Sequence, residues 1–375
     1  MKFRLLILIS IITLRLSAQH DTICAPNCKQ IFISASVQYG FFWAHRTSME
    51  GLVKKHLQGY EVDVIRTGTG EHSCDLPYHY PWTGIAVHVI PLGNPQILGT
   101  AIGLYPFINF PLGKKSRNVK MNIRFGWGIG YVTKCFDALE NHQNVALGSH
   151  VNVCMNLRYN VMWKLNENNY LEFGFGMTHF SNGAAKLPNL GVNLPALSLG
   201  FHHSIFQKVC TTHSPEFEKK NDVILGILAD RHWHISTILA TGFNDVDPPG
   251  GNRYALLNIV TSAMRRTARK ARFGVGFDMM YSDAIRKRIW EEDTVRVSVA
   301  QNLQFGGKVC YEFVVGRILF PVEMGIYLRS HYDNGLIYSR FGARYIVGKH
   351  LLLNVSLKTH WARAEYFEYG LGWRF

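Results

Sequence analysis

The sequence predicts an all-β chain: a single closed antiparallel transmembrane β-barrel of about 14–16 strands, of the bacterial outer-membrane type. Three observations predict it. Period-two alternation of apolar and polar side chains runs along almost the whole chain. The alternating segments are about ten residues or longer, against roughly five or six for an average soluble strand. Apart from a shorter run at the N-terminus, no window offers the roughly 18 consecutive apolar residues of a membrane helix. Composition agrees: the 375 residues are 47% hydrophobic, 13% aromatic and 18% charged, with 34 glycines, which excludes a disordered chain.

At the N-terminus, Lys2 and Arg4 precede the apolar run Leu5 to Leu14, and Ser17-Ala18-Gln19 offers small residues for cleavage. Residues 1–18 are read as an export signal and 19–375 as the barrel. Without Lys2, Arg4 and Arg15, the mature chain keeps 37 Lys+Arg against 26 Asp+Glu. That balance suits an anionic partner, either nucleic acid or the phosphates of a lipid surface, and export argues against nucleic acid. The seven cysteines are scattered. Cys24 and Cys28 could bridge to each other or to Cys74 in an oxidising compartment. No spacing repeats a ligand pair, so no metal site is expected, and no cofactor is called for.

Along the chain, Met121, Ile123, Phe125, Trp127, Ile129 and Tyr131 share one face, with Lys120, Asn122, Arg124, Gly126, Gly128 and Gly130 on the other. Val151 to Trp163, Phe273 to Tyr281, Val322 to Leu328 and Leu351 to Leu357 repeat the pattern. Large apolar residues opposite a mixture of charge and glycine fit lipid outside and a crowded polar lumen inside. About eight strand-like segments precede Cys210 and six to eight follow it. The polar stretch Thr211 to Asp222, within a loop spanning 208–230, is read as joining two halves of one closed sheet, 29–207 and 231–375. Thr47 to His56 and Asp283 to Glu292 read as short helical pieces in loops. At the C-terminus, Phe367, Tyr369, Leu371, Trp373 and Phe375 alternate with Glu368, Gly370, Gly372 and Arg374. This resembles the last strand of outer-membrane proteins and implies the barrel-assembly machinery as a partner, through Phe375.

The segment Tyr170 to Asn193 carries the candidate chemistry. Leu171, Phe173, Phe175, Met177, His179 and Ser181 fall on its apolar face, so His179 and Ser181 are adjacent on the lipid side. A polar pair there is costly unless it is functional or paired. An imidazole beside a hydroxyl is the arrangement of a base-activated serine nucleophile. The plainer alternative places the pair at the strand end, in the headgroup belt.

The longer string His179-x-Ser181-Asn182-Gly183, followed by Pro188-Asn189-x-Gly191, resembles the lipid A 3-O-deacylases (PagL type, also called acyloxyacyl hydrolases). The resemblance implies an outer-membrane location, lipid A or lipopolysaccharide as substrate, and hydrolysis of an ester-linked acyl chain. It also implies Ser181 as nucleophile and His179 as its base. Asn182 and the backbone N–H groups of the Gly183-Ala184 turn are implied to line an oxyanion hole. The family's third member, a glutamate, aligns with Asn193, which can accept the imidazole N–H but supplies no charge.

Other candidates carry less. His202-His203-Ser204 points alternate residues to opposite faces, so no two-histidine site follows. Tyr78 to Trp82 reads as a turn with interfacial anchoring aromatics. Gly126-x-Gly128-x-Gly130 sits inside a strand, where glycine relieves lumen crowding and no phosphate loop forms. The competing functions are a channel or transporter, and a structural barrel with a relic site.

Overall fold

A computed structural model describes residues 28–69, 75, 77–113, 118–209, 231–246, 248–293, 298–331, 335–361 and 363–375. The export signal, Cys24, Cys74, Cys210 and the 211–222 loop lie outside the described residues, and with them the disulfide alternatives. The first strands are β1 (Cys28–Gly40), β2 (Leu57–Arg66), β3 (Trp82–Pro91), β4 (Thr100–Leu112), β5 (Val119–Val132), β6 (Val151–Lys164), β7 (Asn169–Ser181) and β8 (Val192–Val209). They are followed by β9 (Trp233–Asp245), β10 (Arg253–Ala268), β11 (Ala271–Ser282), β12 (Leu303–Val315), β13 (Ile318–Arg329), β14 (Ile337–Val347), β15 (Leu351–His360) and β16 (Arg363–Arg374).

These strands close as two eight-stranded antiparallel barrels, where the sequence predicts one larger ring. β8 returns to β1, pairing from Cys28↔Val209 to Gly40↔Ala196. β16 returns to β9 through the shorter seam Tyr369↔Thr241 to Arg374↔Ser236. The two halves are therefore separate closed sheets. Alternation records which face a side chain occupies and is silent on which strands meet at a seam, so one ring of sixteen and two of eight read alike.

The predicted faces are observed: Ile129, Tyr131, Phe273, Val275, Val322 and Leu353 are exposed on the outside, while Asn122, Arg124, Asp278, Glu323 and Asn354 are buried inside. Eight strands leave an interior just wide enough for side chains to fill. In the first barrel, Arg124 Nη1 lies 2.9 Å from both Glu61 Oε1 and Asp63 Oδ2, and Arg158 Nη2 lies 2.7 Å from Glu61. Tyr105 also donates to Glu61. A Cβ at Gly126 would collide with the Tyr105 ring and one at Gly130 with Phe180, which is why small residues stand there. In the second barrel, Lys308 and Arg340 each bridge Asp278 and Glu323, Arg340 also pairs with Glu368, and Arg344 links Glu312 to Glu323. Each of these buried charges thus has a partner, as the low-dielectric interior requires.

Both barrels point the same way. Connections 41–56, 133–150 and 283–302 are long and lie at one end; turns 269–270, 316–317 and 348–350 are tight and lie at the other. The long end contains a 3₁₀ turn (Thr47–Leu52) and helix α1 (Asp283–Asp293), at the two positions predicted. Long loops mark the extracellular end of outer-membrane barrels.

The barrels touch at both ends. At the tight-turn end, Tyr78 Oη donates to Val314 O at 2.7 Å, and its ring packs on Phe110 and Phe313 at 5.2 and 5.3 Å. Tyr78 and Tyr80 are buried, and the Trp82 ring stacks on Phe32. The predicted anchoring turn is thus corrected: Tyr78 is a bolt between barrels. A sequence read as one ring offers no second barrel for it to contact.

Candidate functional site

Strand register builds the site. On β7, His179 and Ser181 lie on the outward face with the exposed Phe173 and Phe175 and are themselves half-buried; Thr178 and Phe180 turn inward. His179 pairs with Asn193 of β8, and Ser181 with Val153 of β6. A directly opposed pair brings side chains within reach on one face. His179 Nδ1 lies 2.7 Å from Asn193 Oδ1. An amide oxygen only accepts, so the imidazole proton sits on Nδ1 and Nε2 keeps its lone pair.

Closure of the barrel adds a residue that sequence reasoning missed. Beyond Gly40 the chain continues along β8, with Trp43 N donating to Asn193 O at 2.9 Å. This carries His45 to Asn193, whose Nδ2 lies 3.1 Å from His45 Nδ1. A lone histidine in the first loop carries no signal of its own; only the β1–β8 seam brings it there.

Ser181 Oγ is engaged by the loop that follows it. It lies 3.1 Å from Asn189 Nδ2 and receives the Gly183 N–H at 3.1 Å; among the described residues its partners are in this loop and the His179 ring is not one of them. Asn189 Oδ1 also accepts the Asn182 N–H at 3.0 Å. Gly191 has φ +80, and a Cβ there would stand 2.9 Å from His179 Cε1. Asn189 and Gly191, singled out only by resemblance, therefore hold the hydroxyl and make room for the ring.

The six candidate residues do not form one connected cluster: His179 bonds Asn193, and Ser181 receives the Gly183 N–H. The Asn182 side chain turns away, bonding Ser149 Oγ at 2.9 Å and Lys186 O at 2.8 Å, because residue 182 is inward by alternation. In this arrangement the side chain staples the loop. Gly183 and Ala184 both take left-handed φ, +62 and +63. Ala184 contributes its carbonyl to the Asp245 N–H of the second barrel, at 3.2 Å. Asp245 Oδ2 in turn accepts the Leu187 N–H at 2.9 Å. A Cβ on Gly183 would overlap the Phe367 ring, so β16 is seated on the loop itself.

Of the remaining histidines, His202 is buried beside Glu172 at 3.2 Å and His203 points outward to Asn169, at 2.9 Å. They take opposite faces, as alternation requires.

Comparison with known proteins gives two family matches. The model described as lipid A 3-O-deacylase (PagL) matches residues 12–202, about half the chain. The model described as acyloxyacyl hydrolase, C-terminal domain, matches residues 232–375, the second barrel. No curated protein matches. Among solved structures, Neisserial surface protein A is 10% identical over 48% of this chain and 100% of its own, with a TM-score of 0.31. The outer membrane enzyme PagL is 14% identical over 44% and 97%, with a TM-score of 0.29. A Rhodopseudomonas blastica porin triple mutant is 9% identical over 92% and 100%, with a TM-score of 0.18. The exposed aliphatic and aromatic belt of both barrels is the surface of an outer-membrane protein. With its first barrel matched along nearly its whole length, the chain belongs to the lipid A 3-O-deacylase (PagL) family of the outer membrane.

Proposed function

We propose that the chain is a serine esterase that removes an ester-linked acyl chain from lipid A at the lipid-facing surface of its first barrel. The observation that carries this reading is the 2.7 Å bond from His179 Nδ1 to Asn193 Oδ1, which leaves Nε2 free to act as a base. Ser181 Oγ leaves Asn189, gives its proton to Nε2 and attacks the ester carbonyl. The carbonyl π electrons move to oxygen, and the Gly183 N–H, already 3.1 Å from Oγ, is positioned to receive that charge. Collapse expels the sugar alkoxide, which takes the proton from His179, and leaves an acyl-Ser181 ester. Water, deprotonated by the same imidazole, hydrolyses that ester and restores Ser181.

Packed lumens in both barrels weigh against a channel. The engagement of the hydroxyl by Asn189, together with an amide in place of the family's glutamate, favours one second reading, a barrel with a relic site. Mass spectrometry of lipid A from cells with wild type or Ser181→Ala decides between them. Loss of one acyl mass with wild type alone supports the esterase, and identical profiles leave the relic. An export signal over 1–18 and recognition of Phe375 by the assembly machinery belong to the same proposal.

A further inference from the structure

Between the barrels, at the long-loop end, lies a cleft of about 620 Å³, within the size range of small-ligand sites. Trp127 and Val153 line one wall and Ala343, Val355 and Phe367 the other, with Lys186 and Arg253 at its edge. Val153 is the cross-strand partner of Ser181 on the same outward face, which sets the cleft about 5 Å from the nucleophile's strand. Neither Lys186 nor Arg253 makes an ion pair within 4 Å among the described residues. Asp245 is the strand partner of Arg253 and is held by the Leu187 N–H, so two cations without a direct ion-pair contact line an apolar slot that begins one strand away from Ser181.

We infer that this cleft binds the acyl chain of a phosphorylated lipid, with Lys186 and Arg253 holding phosphate and the second barrel forming half of the chain's wall. The inference rests on Ser181 as the site of attack, since that reading puts the ester carbonyl beside Val153. The charge pattern selects the occupant. An uncharged lipid tail would use the walls and leave the cations idle, whereas lipid A carries phosphates beside its ester-linked chains. The second barrel thereby acquires a role in binding. Ala343 and Val355 come from β14 and β15, and a single eight-stranded barrel would leave this side open to bulk lipid.

The test is lipid binding to the full chain carrying Ser181→Ala, measured by native mass spectrometry in detergent with bis-phosphorylated lipid A and with its dephosphorylated form. Adding Ala343→Trp, which fills the slot from the second barrel, should weaken binding at least about tenfold, the effect of excluding two methylenes. Val355→Phe serves the same purpose should the Trp variant lose its heat-modifiable folded form. Lys186→Ala with Arg253→Ala should weaken bis-phosphorylated lipid A about tenfold or more and leave the dephosphorylated form within about twofold. Unchanged binding in the folded slot-filling variants overturns the inference, as does equal loss for both lipids in the double alanine variant. Failure of the catalytic reading looks different: Ser181→Ala would still deacylate lipid A, while the binding series would still report on the cleft.

Discussion

His45 and His179 share one amide: Asn193 turns Oδ1 to His179 Nδ1 at 2.7 Å and Nδ2 to His45 Nδ1 at 3.1 Å. The two contacts are complementary. The amide that presents its NH₂ to His45 Nδ1 turns its oxygen to His179. The tautomer of the base is thereby tied to the β1–β2 loop.

Asn193→Asp tests whether the missing charge limits the enzyme. One carboxylate oxygen keeps the bond to His179 Nδ1–H and adds the charge that stabilises the imidazolium, so kcat on purified lipid A should rise about tenfold or more. Asn193→Leu, which removes the acceptor, should lower kcat by about two to four orders of magnitude. A Leu variant as active as wild type would separate Asn193 from the chemistry.

His45→Ala frees the amide to turn. With NH₂ toward His179, the ring proton moves to Nε2 and the base is lost in that fraction of molecules, so kcat should fall several-fold with KM little changed. Steady-state kinetics on purified lipid A checks this, and an unchanged kcat in His45→Ala would detach His45 from the base.

Gly183→Ala should cost at least about tenfold in activity. The left-handed φ of +62 disfavours any Cβ, by about 1 kcal/mol or more, and the new methyl would overlap the Phe367 ring. The two causes separate in a double-mutant cycle: Phe367→Ala should restore part of the loss by removing the overlap, leaving the backbone strain. Additive effects would show that the second barrel does not press on the loop.

Glu61 receives Arg124, Arg158 and Tyr105 inside the first barrel. Glu61→Gln leaves two guanidinium groups short of their counter-charge and should destabilise the barrel by about 3–5 kcal/mol, read as an earlier loss of the heat-modifiable folded form. The wild-type protein should show no ion conductance steps in planar bilayers, because both lumens are filled; stepwise conductance would revive the channel reading.

Much of this architecture is legible in the sequence because alternation is a local property. Lipid and lumen faces follow from it, and with them the adjacency of His179 and Ser181. Closure is not legible: the Ile31↔Phe206 and Tyr369↔Thr241 pairs join residues far apart in sequence, and nothing local distinguishes two seams from one. His45, Tyr78 and Phe367 escape a sequence reading for that single reason, since each acquires its role from a neighbour that only closure supplies. Asn182 escapes it differently, because membership of the motif outweighs the inward parity of its position.

Eight is an even number, and this has a topological consequence. A closed unit with an even number of antiparallel strands returns the chain to the face from which it entered, so β9 begins on the side where β1 began and neither barrel inverts the other. Whole barrels can then be strung in tandem or excised without changing which way any loop points. An odd-stranded unit would turn everything after it upside down. Duplication or fusion at the boundary between 209 and 233 is in this sense topologically silent, and a site on the first barrel can acquire a neighbour with its outer loops already on the correct side.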